Sequence, residues 1–190
     1  MLEAFFVSTG VVALGEVGDK TQLLALLLAA RYRKPLPIIA GILVSTLLNH
    51  AAAAALGAWL ARTIDPQWMR WGLGLSFLAV AVWMLIPDEA DEVEGRSSGR
   101  LGVFGLTVVA FFLAEMGDKT QVATVMLAAR FDDLVAVTVG TTLGMMIANV
   151  PAVLLGDKAV KFMPVQWVHR IAAVVFAAIG VAVLAGVGAP

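Results

Sequence analysis

A charged heptapeptide occurs twice in this chain, each time inside a stretch of apolar residues. The first copy reads Glu-Val-Gly-Asp-Lys-Thr-Gln over residues 16–22, and the second reads Glu-Met-Gly-Asp-Lys-Thr-Gln over residues 115–121. The copies differ at one position and are offset by 115 − 16 = 99 residues. Ionisable groups inside a membrane are costly, and chains that keep them usually use them for transport, proton relay or charge balance. The repeat therefore predicts a duplicated transporter-like unit.

The composition indicates an integral membrane protein. Of 190 residues, 61% are hydrophobic and only 14% are charged, with a mean hydropathy of +0.92, which is more apolar surface than a soluble domain can bury. The net charge of −1 argues against a nucleic-acid partner, and the absence of cysteine excludes disulfides and thiolate metal sites. The chain begins without a basic segment, so we expect no cleaved signal peptide.

The apolar runs predict an all-α fold with six transmembrane helices. Runs of about 17–25 residues can cross a bilayer as helices, and we expect them at residues 4–30, 36–61, 71–87, 101–129, 134–155 and 165–187. The longest polar stretch is acidic and divides the chain into halves. We therefore expect one transport domain made of a first three-helix repeat (1–87), an acidic cytoplasmic loop (88–100) and a second three-helix repeat (101–190).

The similarity between the halves extends beyond the heptapeptide. At the same offset of 99, without a gap, identical residues recur at Gly41 and Gly140 and at Phe77 and Phe176. Three spans per half is an odd number, so the second half must enter the membrane from the opposite side. This predicts an inverted repeat, with a site near the midplane where the halves meet. Duplication kept only for packing is the alternative, but packing does not require a repeated charged motif.

The basic residues outside the spans predict the orientation. Eight lie on one side, at Arg31, Arg33, Lys34, Arg96, Arg100, Lys158, Lys161 and Arg170. Three lie on the other side, at Arg62, Arg70 and Arg130. Because loops rich in Lys and Arg stay cytoplasmic, we expect the acidic loop inside and both termini outside.

The heptapeptide is expected near mid-depth in the membrane. Glu16 lies 15 residues before Arg31, or roughly 20 Å along a helix at about 1.5 Å per residue. On an unbroken helix Glu16, Asp19 and Lys20 share one face, and the second copy repeats this. Gly18 and Gly117 remove a side chain beside the acids, which allows close helix approach or an opened backbone with exposed carbonyls.

The two motifs together predict a cation site. Four carboxylates against two ammonium groups give −4 + 2 = −2, which one divalent cation or two protons would cancel. A low dielectric and crowding of like charges favour proton uptake, and oxygen ligands suit Ca²⁺, Mn²⁺ or Mg²⁺. The predicted ligands are the acids and the neutral amides of the motifs: Glu16, Asp19, Glu115, Asp118, Gln22 and Gln121.

Three points stay open at this stage. An ideal helix points Thr and Gln away from the acids, so either the helix is broken or these side chains bond elsewhere. Alternatively each lysine pairs with acids only to hold helices together, although two acids then remain unneutralised. Polar residues in the second and fifth spans form interhelical hydrogen bonds or a second shell around the site, at Asn49, His50 and Asn149.

The duplicated Glu-x-Gly-Asp-Lys-Thr pattern resembles the signature of the small Ca²⁺/Mn²⁺–proton exchanger family, whose eukaryotic members serve the Golgi and whose bacterial members include manganese exporters. The resemblance covers the whole chain. It implies that the acidic positions are Glu16, Asp19, Glu115 and Asp118. It also implies supporting motif positions at Gly18, Lys20, Thr21, Gly117, Lys119 and Thr120.

The expected function is a secondary antiporter that exports Mn²⁺, and also Ca²⁺, in exchange for protons across a bacterial inner membrane. Its partners are then the metal ion, protons and the bilayer, with a homo-oligomer left open and no permanently bound cofactor. One rival is an exporter of a small organic cation or amino acid, and another is a non-transporting membrane subunit that docks a partner. An enzyme is not expected, because no nucleophile–base or zinc-binding pattern accompanies the two histidines, His50 and His169.

Overall fold

The computed structural model describes residues 1–86, 102–156 and 165–187, and the predicted acidic loop 88–100 lies outside these ranges. The described residues form eight helices and no strand, which confirms the all-helical prediction for this part of the chain. They are α1 (Leu2–Glu16), α2 (Lys20–Tyr32), α3 (Pro35–Thr63), α4 (Pro66–Trp83), α5 (Gly102–Glu115), α6 (Lys119–Phe131), α7 (Leu134–Leu155) and α8 (Val165–Leu184).

The first and fourth apolar segments are each broken at the charged motif, which is one of the two alternatives that the sequence left open. The helix ends at the glutamate and a new helix starts at the lysine, in both copies. Gly18 and Gly117 lie between them with φ angles of +81° and +76°. This left-handed conformation is easily adopted by glycine and ends a helix. The shared-face expectation for Glu16, Asp19 and Lys20 fails for the same reason.

The remaining helices lie close to their predicted positions. α7 coincides with the predicted span 134–155, whereas α4 begins five residues before its predicted start at residue 71. The earlier start follows from Asp65, whose side chain accepts a hydrogen bond from the Gln67 amide, and from Pro66 in the first helical turn. Among the described residues, α3, α7 and α8 are long and apolar enough to cross a membrane.

The repeat of 99 residues is present in the backbone as well as in the sequence. Arg33 and Asp132 end α2 and α6 with nearly the same left-handed φ angles, +51° and +44°. A Cβ on Gly41 in α3 would lie 2.7 Å from Cβ of Thr107 in α5. A Cβ on Gly140 in α7 would lie 3.1 Å from Cβ of Ser8 in α1. Each half therefore packs a helix closely against the other half through related glycines.

Two ion pairs define one end of the molecule, which we call the Met1 face. The Met1 amine lies 3.4 Å from Asp133, and Arg62 lies 3.3 Å from Asp132. α3 ends at this face and has 29 residues, so its start lies about 43 Å away at about 1.5 Å per residue. We call that end the far face; α2, which precedes α3, ends there.

The broken segments thus divide the molecule by depth. α1 and α6 lie in the half near the Met1 face, whereas α2 and α5 lie in the half near the far face. Two apolar clusters follow the same division. One contains buried residues of α1, α4, α6 and α8 with the adjoining parts of α3 and α7, and the other contains buried residues of α2, α3, α5 and the later part of α7, together with Val12 of α1. The charged motifs lie between these halves.

Candidate metal centre

The two helix breaks bring both charged motifs together. Each glutamate is the last residue of its first helix, and each aspartate precedes the first residue of the second helix. The amino-terminal ends of α2 and α6 therefore lie beside the aspartates, where the partial positive charge of a helix end stabilises an anion. The two breaks thus contribute to the candidate site, because each places the amino-terminal end of a helix beside an aspartate, which an unbroken helix would not do.

The motifs are joined by a reciprocal exchange of ion pairs. Lys20 Nζ lies 3.0 Å from Asp118 of the second motif, and Lys119 Nζ lies 2.8 Å from Asp19 of the first. Both side chains of the Lys119–Asp19 pair are fully buried, whereas Lys20 keeps 23% of its side-chain surface exposed. Each lysine therefore neutralises the aspartate of the other half, which ties the two halves together at the centre of the molecule.

Three carboxylates lie close enough to share one ion. Glu16, Asp19 and Asp118 each offer an oxygen within 4.8 Å of the others, and all three residues are buried. Glu115 is not part of this group among the described residues, although it is also fully buried. Its carboxylate lies 3.8 Å from His50 Nε2. The four predicted acids therefore divide into a group of three and a fourth beside a histidine.

The threonines orient the glutamates. Thr21 Oγ1 donates to Glu16 at 2.5 Å, and Thr120 Oγ1 lies 3.2 Å from Glu115 and 3.3 Å from Asp118. In each glutamate the other oxygen, Oε1, is buried and has no hydrogen-bond partner within the described ranges. Buried polar atoms are normally partnered, so these oxygens remain available to a cation or a proton.

The glutamines brace the two breaks. Gln22 Oε1 accepts from the Gly18 amide at 2.9 Å, and Gln121 Oε1 accepts from the Gly117 amide at 2.8 Å. Gln22 also donates to the carbonyl of Ala148, at 2.9 Å. The sequence predicts these two amide oxygens as metal ligands, but in the structure each accepts a hydrogen bond from the backbone. Their role as ligands stays a prediction.

The polar residues of α3 and α7 contribute unequally. Asn49 accepts from Gln121 Nε2 at 2.5 Å and donates to the carbonyl of Phe112 at 3.3 Å, so it supports the second break. His50 faces Glu115, as described above. Asn149, which matches His50 in the repeat, donates instead to the carbonyl and sulfur of Met145. Asn49 and His50 therefore contact the motifs, while Asn149 bonds within its own helix.

His169 is a contact that the sequence did not identify. Its Nε2 lies 2.7 Å from the carbonyl oxygen of Val17, inside the first break. The repeat counterpart of His169 is Arg70, so no identity between the halves marks the position. The sequence offered one signal for this contact, which is that His169 and Arg70 can both donate a hydrogen bond from a ring or guanidinium nitrogen.

The two glycines give a matched test of the breaks. Gly117→Ala introduces a left-handed alanine that meets no atom within 4 Å in the described part of the chain, and the strained backbone alone destabilises the fold by about 1–2 kcal/mol. Gly18→Ala adds a clash, because its Cβ would lie 2.2 Å from the Val165 side chain. We expect a lower melting temperature for both variants in detergent, with the larger decrease for Gly18→Ala. Equal decreases would contradict the packing described at the first break.

Comparison with known families gives one match over most of the chain. Residues 4–92 and 103–188 match the family model described as divalent cation/proton antiporter GDT1. A protein of Vibrio cholerae serotype O1 named "Putative manganese exporter" is 49% identical over 177 residues, which cover 93% of this chain and 88% of that protein.

More distant relatives occur in plants and cyanobacteria. GDT1-like protein 3 of Oryza sativa subsp. indica is 26% identical, over 93% of this chain and 71% of its own length. GDT1-like protein sll0615 of a Synechocystis strain is 28% identical, over 82% of this chain and 84% of its own length. No solved structure matches the chain.

Proposed function

Because the chain belongs to the family of divalent cation/proton antiporters, a family of transporters and not of enzymes, we propose that it exports Mn²⁺, with Ca²⁺ as a second substrate, in exchange for protons. The similarity over 93% of the chain to the Vibrio cholerae protein named "Putative manganese exporter" supports Mn²⁺ as the principal substrate. The ion is a transported substrate in this proposal, and the protein needs no permanently bound cofactor.

The observation that carries the proposal is the buried group formed by Glu16, Asp19 and Asp118. Oxygen ligands at this spacing suit a hard divalent cation. The group draws on both motifs, so we propose one shared site between the halves. The lysines balance only part of the charge, because two ammonium groups face four carboxylates. One divalent cation or two protons can supply the remaining charge, which makes the two substrates alternative occupants.

The proposed architecture is six spans in two inverted halves. It is supported by the repeated helix breaks and by the matching glycine contacts across the halves. α1 with α2, and α5 with α6, would each form one interrupted span. The Met1 face carries Arg62 and Arg130, whereas α2 has Arg31 in its last turn and is followed by Arg33 and Lys34 at the far face. Arg70 counts on the same side as Arg62 and Arg130, so these residues are balanced at three each, and the count over the whole sequence, eight against three, supports a cytoplasmic far face and external termini in a bacterial inner membrane.

The test is exchange by the purified chain in liposomes that contain a pH-sensitive dye. We expect an imposed Mn²⁺ gradient to drive protons in the opposite direction, with a weaker response to Ca²⁺. Protein-free liposomes under the same gradients are the control for leakage. Collapsing the pH gradient with a protonophore should remove the dye signal and leave Mn²⁺ movement measurable by metal analysis.

Two other results would replace the proposal. Proton movement driven by an organic cation or an amino acid, and by none of the metals, would indicate an exporter of small organic solutes. Absence of both transport and metal binding, by protein shown to be folded by circular dichroism, would indicate a membrane subunit that docks a partner.

A further inference from the structure

Helices α4 and α8 form a pair built from equivalent positions of the repeat. Phe77 and Phe176 are exact counterparts in the repeat, and their ring centroids lie 6.2 Å apart. Gly74 and Gly180 let the two backbones approach, since a Cβ on Gly180 would lie 2.9 Å from the Gly74 carbonyl oxygen. Because related residues meet each other, this α4–α8 pair can pack on either half of the molecule in equivalent ways.

The α4–α8 pair packs on one half of the molecule. Its buried apolar residues belong to the cluster that includes α1 and α6, near the Met1 face. The cluster around α2 and α5 contains no α4 or α8 residue in the described part of the chain. The repeat relates α1 to α5 and α6 to α2, so an equivalent surface exists on the far half.

That equivalent surface is more exposed on α2 than on α6. Leu27 of α2 is 51% exposed, whereas Met126, its repeat counterpart on α6, is 4% exposed. Lys20 has 23% of its side chain exposed, whereas Lys119 is fully buried. Lys20 and Leu27 are seven residues apart and share a face of α2, and Lys119 and Met126 share the equivalent face of α6. The α4–α8 pair therefore covers this face of α6, whereas the equivalent face of α2 remains partly uncovered.

The two helix breaks differ in the same way. At the first break, His169 contacts the Val17 carbonyl, and Val165 fills the space beside Gly18. At the second break, a Cβ on Gly117 would meet nothing within 4 Å among the described residues. Met116, the counterpart of Val17, is 58% exposed. The amino-terminal end of α8 closes the first break, whereas the related end of α4 does not cover the second, which is open as far as the described ranges show.

We infer that the α4–α8 pair is a gate with two positions, in which Arg70 would hold the Met116 carbonyl in the second position as His169 holds the Val17 carbonyl in the first. In the second position the pair covers α2 and α5 and uncovers α1 and α6. Arg70 suits this role because it is the repeat counterpart of His169 and its buried Nε has no hydrogen-bond partner within the described ranges.

This inference rests on the proposed function, because only a transporter needs to expose one buried site to each side in turn. The related surfaces of the two halves give the two positions similar packing, and a small free-energy difference allows substrates to shift the population. His169 and Arg70 are positioning residues in this scheme, since they contact the backbone of a break and not the ion.

The sequence contains no cysteine, so pairs of introduced cysteines can be cross-linked without a background reaction. The variant pairs are Val17→Cys with His169→Cys for the first position, and Met116→Cys with Arg70→Cys for the second. In liposomes under opposite Mn²⁺ gradients, we expect both pairs to be joined by a short thiol cross-linker, in proportions that change with the gradient. Peptide mass spectrometry measures each yield without reference to transport.

Locking either position should stop exchange, and a reducible cross-linker should allow a thiol to restore it. The four single-cysteine variants treated with the same reagent are the controls. In the protein locked through residues 70 and 116, a cysteine at Leu27 should become protected from maleimide and one at Met126 should become reactive. This labelling keeps the test informative if a single cross-link distorts the fold.

Cross-linking of the first pair alone under every gradient, with labelling at residues 27 and 126 unchanged, would overturn the inference. Undiminished exchange by fully cross-linked protein would also overturn it. If the parent protein moves no Mn²⁺ but both pairs form, the gate stands and the proposed substrate is wrong. Failure of the gate and failure of the proposed function are therefore distinguishable.

Discussion

Glu16→Gln should abolish exchange and most of the Mn²⁺ binding, because it removes one of the three carboxylates that lie within 4.8 Å of one another. The amide keeps the volume of the side chain and an oxygen that can accept from Thr21. Changes outside the direct ligands already weaken metal sites by roughly 10- to 100-fold. Loss of a direct carboxylate should therefore weaken binding at least about 100-fold. Calorimetric titration with Mn²⁺ and the liposome assay measure the two effects.

Two glutamates provide controls for this variant. Glu3→Gln alters an exposed acid in the first turn of α1 and should leave binding and exchange unchanged. Glu115→Gln alters the motif acid that lies outside the group of three, so we expect it to lose exchange while keeping more Mn²⁺ binding than Glu16→Gln. Equal loss of binding in both motif variants would contradict a site centred on Glu16.

The duplicated motif and its offset were sufficient to predict much of the fold. Identity at 99-residue spacing predicted which helices are related, and the structure repeats the breaks and their left-handed glycines at that spacing. Hydropathy located α3 and α7 because each is a long apolar run with few charges. The family match confirms the predicted class of transporter.

The pairing within the site could not be read from the sequence. Spacing along one helix places Lys20 beside Asp19 and Glu16, but the break turns Lys20 towards Asp118. Helical periodicity applies only where the backbone is helical. At Gly18 the sequence alone does not distinguish close packing of a continuous helix from a break in the helix. Once the helix is broken, which carboxylate each lysine meets depends on how the two halves pack, and this is a tertiary property.

The unequal exposure of related positions was also beyond the sequence. Identical residues in the two motifs predict identical surroundings, yet Gly18 is packed against Val165, whereas a Cβ on Gly117 would contact none of the residues that the structure describes. In the two-position gate that we infer, these unequal surroundings belong to one of two arrangements that exchange the roles of the halves.

Lys119→Met should be far more destabilising than Lys20→Met, although the two lysines occupy identical positions in the motifs. Lys119 and Asp19 are both fully buried, so removing the ammonium leaves a buried carboxylate uncompensated. Removing one partner of such a pair typically lowers stability by about 3–5 kcal/mol. Lys20 keeps 23% of its side chain exposed, so water can partly solvate Asp118 after its loss. Thermal unfolding of both variants in the same detergent measures the difference.

Double substitutions identify the origin of this loss of stability. Combining Lys119→Met with Asp19→Asn removes both charges of the pair, and should recover a large part of the lost stability because no isolated charge remains buried. The matched combination of Lys20→Met with Asp118→Asn should recover less, since less was lost. If Lys119→Met and Lys20→Met unfold at the same temperature, the difference in burial between the two ion pairs has no energetic consequence, and the asymmetry on which the two-position gate depends loses its support.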